Sequence, residues 1–287
     1  MILKKDEAAH WYYPDGRACH QVERAKPTPD GKTMRDTNLA DARKLGLIPS
    51  VTTVLQLHAK EILTTWKIEQ AIKASMRLRQ DPSETPEDFI RRVEKESGEQ
   101  TRAAADFGTV MHMATEDYAI DPNYVCKNPL IQAHFEHWAD WWDQNVIECF
   151  YVEKVVIGDG YAGRLDIKAN IKGHGVKICR VKTRSEELSR VKADPNRRKM
   201  SVYDDDGLQL SAYEQADRIA CQKNGTPPAS GCLSLLIDRD IPSPPHVHEW
   251  PEEEMKRYYR AFAGFTTAWA YLKNYNPQAA QNETDTV

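Results

Sequence analysis

The segment from residue 161 to residue 171 alternates polar and apolar side chains from Arg164 onward. A period of two is typical of a β-strand with one face turned to a core. The predicted apolar face consists of Leu165, Ile167, Ala169 and Ile171, and the predicted polar face of Arg164, Asp166, Lys168 and Asn170. A turn at 172–175 and a strand from Val176 to Thr183 follow at once, so the sequence predicts a β-hairpin.

The rest of the chain predicts an α/β fold, with a mixed central β-sheet and an N-terminal helical region. An extended, turn-rich segment covers 10–55, and Ser50 is a predicted helix cap there. Helices are predicted at 59–77, 86–96, 101–119, 129–145, 207–223 and 251–274, further strands at 148–157 and 231–237, and a basic loop at 184–206. We expect one domain over 1–277, with its helical region at about 50–145, its α/β core at about 148–240, and a disordered tail at 278–287.

Composition limits the location and the partners of the protein. The net charge of −4 excludes a uniformly basic coat, but it leaves room for a local basic groove. No apolar run reaches the roughly 20 residues of a membrane span, and the N-terminus lacks the apolar core of a signal peptide. We therefore expect a cytoplasmic protein with no membrane partner.

Six cysteines are scattered along the chain without any CxxC pair. Paired spacing is usual for the ligands of a structural zinc ion, so no such site is predicted. The sequence favours buried, reduced thiols, and a cluster of aromatic residues at 135–142 likewise favours core packing.

Two local patterns place polar groups on predicted elements. Gly108, His112 and Glu116 are spaced by four residues on one helix and share a face. A helical histidine that merely satisfies a hydrogen bond is the commoner case. Asp166 lies on the polar face of its strand, where solvation is the simpler interpretation.

The next strand and helix carry two more polar pairs. Arg180 and Lys182 share a strand face with apolar residues, and two cations there require compensation because buried unpaired charge is costly. Gln209 and Tyr213 stand four residues apart on a helix, where ordinary helix surface is the alternative interpretation.

The order of these motifs is more specific than any of them alone. GxxxH on a helix, GxxD on a strand, a hairpin to xxKT and a helix with QxxxY resemble the RecB-like branch of the PD-(D/E)XK nuclease superfamily. The segments PDG and PSVTTVL resemble phage members, and the resemblance covers residues 12 to 237. It implies a restriction-endonuclease-like core.

The resemblance also implies metal chemistry. Asp166 would be the principal metal ligand, and His112 would bind or position the metal, with Gly108, Glu116 and Glu153 in supporting places. The ion would be Mg²⁺ or Mn²⁺, held largely by carboxylates. No iron–sulfur cluster is expected, since only Cys221 and Cys232 follow the QxxxY motif.

The remaining implied roles concern the substrate. Lys182 would orient the attacking water and stabilise charge on the phosphate, and Gln209 and Tyr213 would contact DNA or brace the site. The implied activity is a metal-dependent DNA exonuclease of phage or recombination origin. Its partners are DNA and, as a candidate, a recombination or single-strand annealing protein, in the host cytoplasm if phage-encoded.

Arg180 departs from the family pattern, which has an acid at that position. A guanidinium has no lone pair for a metal, and it repels a nearby cation. Three interpretations stand: an inactivated copy of an active nuclease, a natural non-catalyst, or replacement of the ligand by Glu116 or Glu153. We expect little nuclease activity and a guanidinium paired with Asp166.

A non-catalytic DNA- or partner-binding protein on the same fold is therefore the alternative function. A structure-specific endonuclease is a weaker third possibility. Dependence on a free DNA end, measured on linear against circular substrate, separates an exonuclease from an endonuclease.

The basic loop is predicted to contribute to DNA affinity through Arg184, Arg197, Arg198 and Lys199. Replacing Arg197, Arg198 and Lys199 by Ala should flatten the salt dependence of DNA binding. Each lost phosphate contact should reduce the slope of log K against log salt by roughly 0.7–0.9. An unchanged slope would leave the loop as solvated surface.

Overall fold

The N-terminal part of the fold is built from short strands. The structure, a computed structural model, describes residues 10–58, 61–185, 187–188 and 198–279. The first elements are β1 (Trp11–Tyr12), β2 (Gln21–Glu23), β3 (Met34–Asp36), helix α1 (Leu39–Leu45) and β4 (Ile48–Pro49). β1 pairs with β4 and β2 with β3, both antiparallel. This agrees with the extended segment expected from the sequence, apart from the short helix α1.

Helices dominate from residue 51 to residue 145. They are α2 (Val51–Val54), a 3-10 turn (Leu55–Leu57), α3 (Glu61–Arg77), α4 (Pro86–Ile120) and α5 (Gln132–Asn145). The Ser50 hydroxyl accepts a hydrogen bond from the Thr53 amide at 3.0 Å, so the predicted cap of α2 is confirmed.

The prediction of two separate helices at 86–96 and 101–119 is wrong, because α4 runs through both without a break. Gly98 lies inside it, and a helical glycine costs only about 0.5–1 kcal/mol relative to alanine. The C-terminal half of α4 buries Phe107, Met111 and Tyr118 in the core. That burial outweighs the local preference for a break.

The central sheet has five strands in the order β11-β10-β7-β6-β5. The elements after residue 145 are β5 (Val146–Gly158), β6 (Tyr161–Ile171), β7 (Gly175–Arg184), β8 (Glu187–Leu188), β9 (Arg198–Lys199), α6 (Asp204–Asn224), β10 (Cys232–Asp238), β11 (His246–Glu249) and α7 (Glu252–Lys273). β7 and β10 are parallel and the other neighbours antiparallel. The α/β class, the mixed sheet and the β6–β7 hairpin are therefore confirmed.

Two strand features were not predicted. β8 pairs with β9 inside the segment expected to be a loop. β11 is a short edge strand whose residues are half-buried or exposed, so it lacks the apolar alternation that marks a strand in the sequence.

Helices cover both faces of the sheet. On one face α4 and α5 bury Met111, Phe135 and Trp138 against apolar residues of β6, β7 and β10. On the other, α6 and α7 bury Leu210 and Phe262 together with residues of α2. The aromatic residues of α5 thus form core, as predicted. All six cysteines are free, and five of them are buried.

The predicted alternation of β6 is wrong at one point. Leu165 packs in the core on the α6 side, whereas Ile167 packs in the core on the α4 side. Accordingly Asp166 contacts α4, while Lys168 binds Asp217 of α6. The change of face occurs opposite Glu153, whose backbone is left-handed, with φ of 51°.

The sequence also predicted a disordered C-terminal tail and the lack of a membrane span. Residues 277–279 form a helical turn, and the rest of the predicted tail, 280–287, lies outside the described residues. Within the described part of the chain, every helix is too short or too polar to span a bilayer.

The buried Lys168–Asp217 pair should be a major contributor to stability. The Lys168 Nζ donates to both Asp217 oxygens at 2.9 and 2.8 Å, and both side chains are about 95% buried (5% and 4% exposed). Asp217→Ala leaves a buried ammonium without its counter-charge, so we expect a loss of about 3–5 kcal/mol in urea unfolding.

The paired change Lys168→Met with Asp217→Leu should recover most of that loss, because it removes both charges. Glu252→Ala, which removes an exposed partner of Lys256, is the surface control and should move the unfolding midpoint far less. Equal effects of Asp217→Ala and Glu252→Ala would contradict the importance of the buried pair.

Candidate metal centre

Asp166 lies where β6 and β7 diverge. The ladder between these strands ends at the pair Ile167–Cys179, and Asp166 is the first residue of β6 outside it. Beyond it, the Asp166 Oδ2 accepts a hydrogen bond from the Val181 amide at 3.0 Å and lies 3.3 Å from the His112 Nε2. Asp166 is 8% exposed, so its carboxylate is fixed and largely shielded from solvent.

Glu153 of β5 faces Asp166 across the strand pair. The register brackets the two acids between the pairs Val152–Ile167 and Lys154–Leu165. His112, Glu153 and Asp166 each offer one ligand atom, and these three atoms all lie within 4.8 Å of one another. One imidazole and two carboxylates at such separations can hold a metal ion.

Helix α4 delivers His112 to this place. The His112 Nδ1 pairs with Glu116 one turn later, so the predicted shared face of the two residues is confirmed. A Cβ atom added at Gly108 would lie 2.9 Å from the Thr183 Oγ1. Glycine therefore allows α4 to approach the end of β7 closely, which explains the GxxxH spacing.

The acids perturb one another. Burial and the neighbouring charge of Glu116 raise the pKa of Glu153 to about 7, although Arg164 is ion-paired with Glu153 at 2.5 Å and opposes the shift. Burial alone would raise the pKa of Asp166, but the hydrogen bond and charge of His112, with the charges of Lys182 and Arg180, lower it. Close carboxylates of this kind favour a cation between them.

His112 supplies that cation when no metal is bound. Burial would lower its pKa, but the hydrogen bonds to Asp166 and Glu116 raise it to about 9. The imidazole is therefore protonated at neutral pH. A metal ion bound here would compete with that proton, because only a neutral imidazole is a ligand.

Arg180 turns away from this cluster. The Arg180 Nη1 lies 3.3 Å from the Oδ1 of Asp206, at the start of α6, and Arg180 is 8% exposed. The expected pairing of Arg180 with Asp166 is therefore wrong. The His112 side chain and the Val181 amide already occupy the Asp166 carboxylate, while Asp206 offers a buried counter-charge on the side that Arg180 faces.

Lys182 lies between the two groups of charges. The Arg180 guanidinium and burial lower the pKa of Lys182 to about 7, and the charges of Asp166 and Asp206 oppose that shift. Its ammonium is thus partly deprotonated at neutral pH. Arg180 therefore weakens the positive charge of Lys182, the lysine of the xxKT motif.

Asp206 is the residue that the sequence interpretation missed. It is 2% exposed and accepts hydrogen bonds from the Arg184 Nη2, the shorter at 2.9 Å, and from the Tyr203 amide at 3.2 Å. Its signal was a run of three acids at the start of a helix, which usually denotes a solvated helix terminus. Arg180 and Arg184, which both require a counter-charge, were the additional clue in the sequence.

Gln209 and Tyr213 are buried, so the interpretation as helix surface is wrong. The Gln209 side-chain amide donates to the Tyr213 hydroxyl, and burial raises the pKa of Tyr213. A Cβ atom at Gly163 would lie 2.2 Å from the Tyr213 Cε1. Gly163 is therefore required for α6 to lie against β6, and the role of Gln209 and Tyr213 in the site stays a prediction.

The predicted DNA-binding residues have different outcomes. Arg184 is half-buried, is ion-paired with Asp206 and lies over the Tyr203 ring at 4.6 Å from its centroid. Arg197 lies outside the described residues. Arg198 and Lys199 are described only by their backbone in β9, so their role in DNA binding stays a prediction.

No family model and no curated protein matches this chain. The resemblance to the RecB-like branch therefore depends on the motifs of the sequence alone.

Asp166→Asn should abolish binding of Mn²⁺ at this centre, as measured by calorimetric titration of the full chain. The change removes the charge of the most constrained ligand but keeps its shape. Glu153→Gln should weaken binding about tenfold or more, because it removes one of the two carboxylates.

Glu94→Gln, an exposed change on the same helix as His112, is the control and should leave Mn²⁺ binding intact. Binding that survives Asp166→Asn with unchanged stoichiometry and affinity would place the metal elsewhere.

Proposed function

We propose that this chain has the PD-(D/E)XK nuclease fold and is a metal-dependent DNA exonuclease whose activity is strongly reduced by Arg180. The observation that carries the proposal is the set His112, Glu153 and Asp166, within ligand distance of one another and beside Lys182. The two acids and the lysine come from adjoining strands of one mixed sheet. That arrangement agrees with the motif order of the resembled family.

The chemistry of the site suits phosphodiester hydrolysis. A bound Mg²⁺ or Mn²⁺ would supply a nucleophilic water and a sink for negative charge. His112, Glu153 and Asp166 would hold that ion. Lys182 would orient the water and stabilise the phosphate oxygens, as far as its charge persists beside Arg180.

Glu153 would replace the metal-binding acid that the resembled family has at position 180. The resembled family uses an acid at position 180, whereas here Glu153 completes a three-ligand set from the neighbouring strand. Metal binding therefore does not require position 180. What Arg180 removes is one further negative ligand and much of the charge on Lys182.

A non-catalytic DNA-binding protein is the second candidate function. The observation that favours it is the buried pairing of Arg180 with Asp206, which gives the guanidinium a counter-charge within the fold. The two candidates share the fold and differ in whether the bound phosphodiester is cleaved.

The wider setting follows from the proposed activity. DNA is the substrate, and a recombination or single-strand annealing protein is the candidate partner. Such an enzyme acts in a cytoplasm, that of the host if the gene belongs to a phage. An exonuclease requires a free end, so circular DNA should resist it while linear DNA of the same sequence does not.

Arg180→Asp should raise the rate of degradation of linear DNA with Mg²⁺ or Mn²⁺ by about 100-fold or more. The change adds a carboxylate at the family's ligand position and removes the cation that lowers the pKa of Lys182. The measurement is release of acid-soluble nucleotides from linear DNA by the two chains at equal concentration.

Arg180→Ala is the matched variant, because it removes the positive charge without adding a ligand. Its rate should lie between those of the unmodified chain and Arg180→Asp. If the unmodified chain already matches Arg180→Asp, then position 180 is not a ligand position. If neither chain cleaves DNA although both bind Mn²⁺, the non-catalytic function is the correct one.

A further inference from the structure

Three basic side chains stand at alternate positions of β7. Arg180, Lys182 and Arg184 share one face of the strand, with neighbours roughly 6.5–7 Å apart along it. The face is confirmed at both ends, because Arg180 and Arg184 each reach Asp206 at the start of α6. The strand thus presents a row of cations to one short stretch of helix.

Asp206 compensates only part of this charge. Among the residues that the structure describes, it is the one carboxylate within ion-pair distance of either guanidinium. Its two neighbours in the first turn are engaged elsewhere: Asp204 accepts from the Tyr258 hydroxyl at 2.6 Å, and Asp205 pairs with His58 at 2.7 Å. Two guanidiniums therefore share a single buried acid, while the Lys182 ammonium lies near both Asp206 and Asp166.

Both arginines keep a buried donor for which the described part of the chain offers no acceptor. The Arg180 Nη1 and the Arg184 Nε are fully covered, and among the described residues neither has a hydrogen-bond partner. The Arg180 Nη1 lies 3.3 Å from the Asp206 Oδ1, within ion-pair distance but without the geometry of a hydrogen bond. A buried unsatisfied donor costs about 1–3 kcal/mol, and more for a charged group, so two on neighbouring side chains require a reason.

The guanidiniums are also held in place. Arg180 is 8% exposed, and Arg184 is fixed between Asp206 and the Tyr203 ring. Donors fixed before the ligand arrives lose little conformational entropy on binding. Lys182, which is half-buried like Arg184, lies between the two arginines along the strand. The row is a preformed set of donors for an anion with several oxygens.

We propose that Arg180, Lys182 and Arg184 form a binding site for a phosphate monoester, with Asp206 as the acid that orients the two arginines. A planar guanidinium binds phosphate oxygens in pairs, and the dianion of a monoester suits two of them better than the single charge of a diester. The site occupies the position where the resembled family has an acid, and it adjoins the metal centre across β7.

The ligand has two possible sources, the terminal phosphate of a DNA strand and free phosphate. Identifying it with DNA rests on the proposed function, whereas binding of the phosphate group does not. The test therefore measures phosphate binding in EDTA, where neither the metal centre nor DNA cleavage contributes.

Inorganic phosphate is the probe, titrated calorimetrically into the full chain. We expect one site per chain, with affinity lowered about tenfold or more in Arg180→Gln and in Arg184→Gln, because each loses charged hydrogen bonds. Arg180→Lys, which keeps the charge but not the guanidinium, should also weaken binding. Arg91→Gln, an exposed change on α4, should have no effect.

Short DNA duplexes with a 5′-phosphate, a 3′-phosphate or hydroxyl ends identify the source. Preference for one phosphorylated end that is lost in Arg184→Gln assigns the site to that DNA terminus. Equal binding of all three duplexes, with phosphate binding retained, assigns it to free phosphate.

Circular dichroism melting of each variant excludes unfolding as the cause of a loss. Inorganic phosphate that fails to bind the folded, unmodified chain would overturn the proposal. So would phosphate affinity that is unchanged in both Arg180→Gln and Arg184→Gln. Neither result bears on the metal centre, whose test is Mn²⁺ binding and cleavage by the Arg180→Asp chain.

Discussion

The hydrogen bonds of one carboxylate connect the sheet to the helix that covers it. Asp166 accepts the Val181 amide where β6 and β7 diverge, and on the same oxygen it faces His112 of α4. Because the strands have no ladder beyond this point, the side chain replaces the backbone pairing that ends there. This contact links α4, β6 and β7 at the site, so the placement of His112 relative to Val181 and Lys182 of β7 depends on it.

The cluster around that carboxylate is unfavourable without a cation. Glu153 and Asp166 lie opposite each other on the adjacent strands β5 and β6. Glu116 is the third acid of the cluster and is paired with His112. Like charges directly opposite on a sheet are destabilising, and Glu153 also adopts a left-handed backbone with φ of 51°. Such unfavourable features persist only where the surrounding structure imposes them. In this cluster they accompany three ligand atoms that lie close together, which argues for a binding function rather than for stability.

Sequence patterns predicted the elements better than their partners. The hairpin, the GxxxH spacing and the buried aromatic helix follow from local periodicity, and all three are present. The change of face at Asp166 was not predictable, because it depends on whether α4 or α6 offers a partner to each residue. Asp206 was missed for the same reason: an acid in the first turn of a helix is usually solvated, and its burial here depends on contacts with Arg180 and Arg184 of β7.

Position 180 joins two sites of opposite charge. On one side of β7, the Val181 amide holds Asp166 within a group of acids suited to a cation. On the other side, the guanidiniums of Arg180 and Arg184 are suited to phosphate oxygens. Hydrolysis of a phosphodiester requires both kinds of site close together, and an acid at 180 would extend the first at the expense of the second. Under the proposed function, arginine there would favour holding a phosphate over stabilising the metal, so weak cleavage and strong phosphate binding would be two results of one charge.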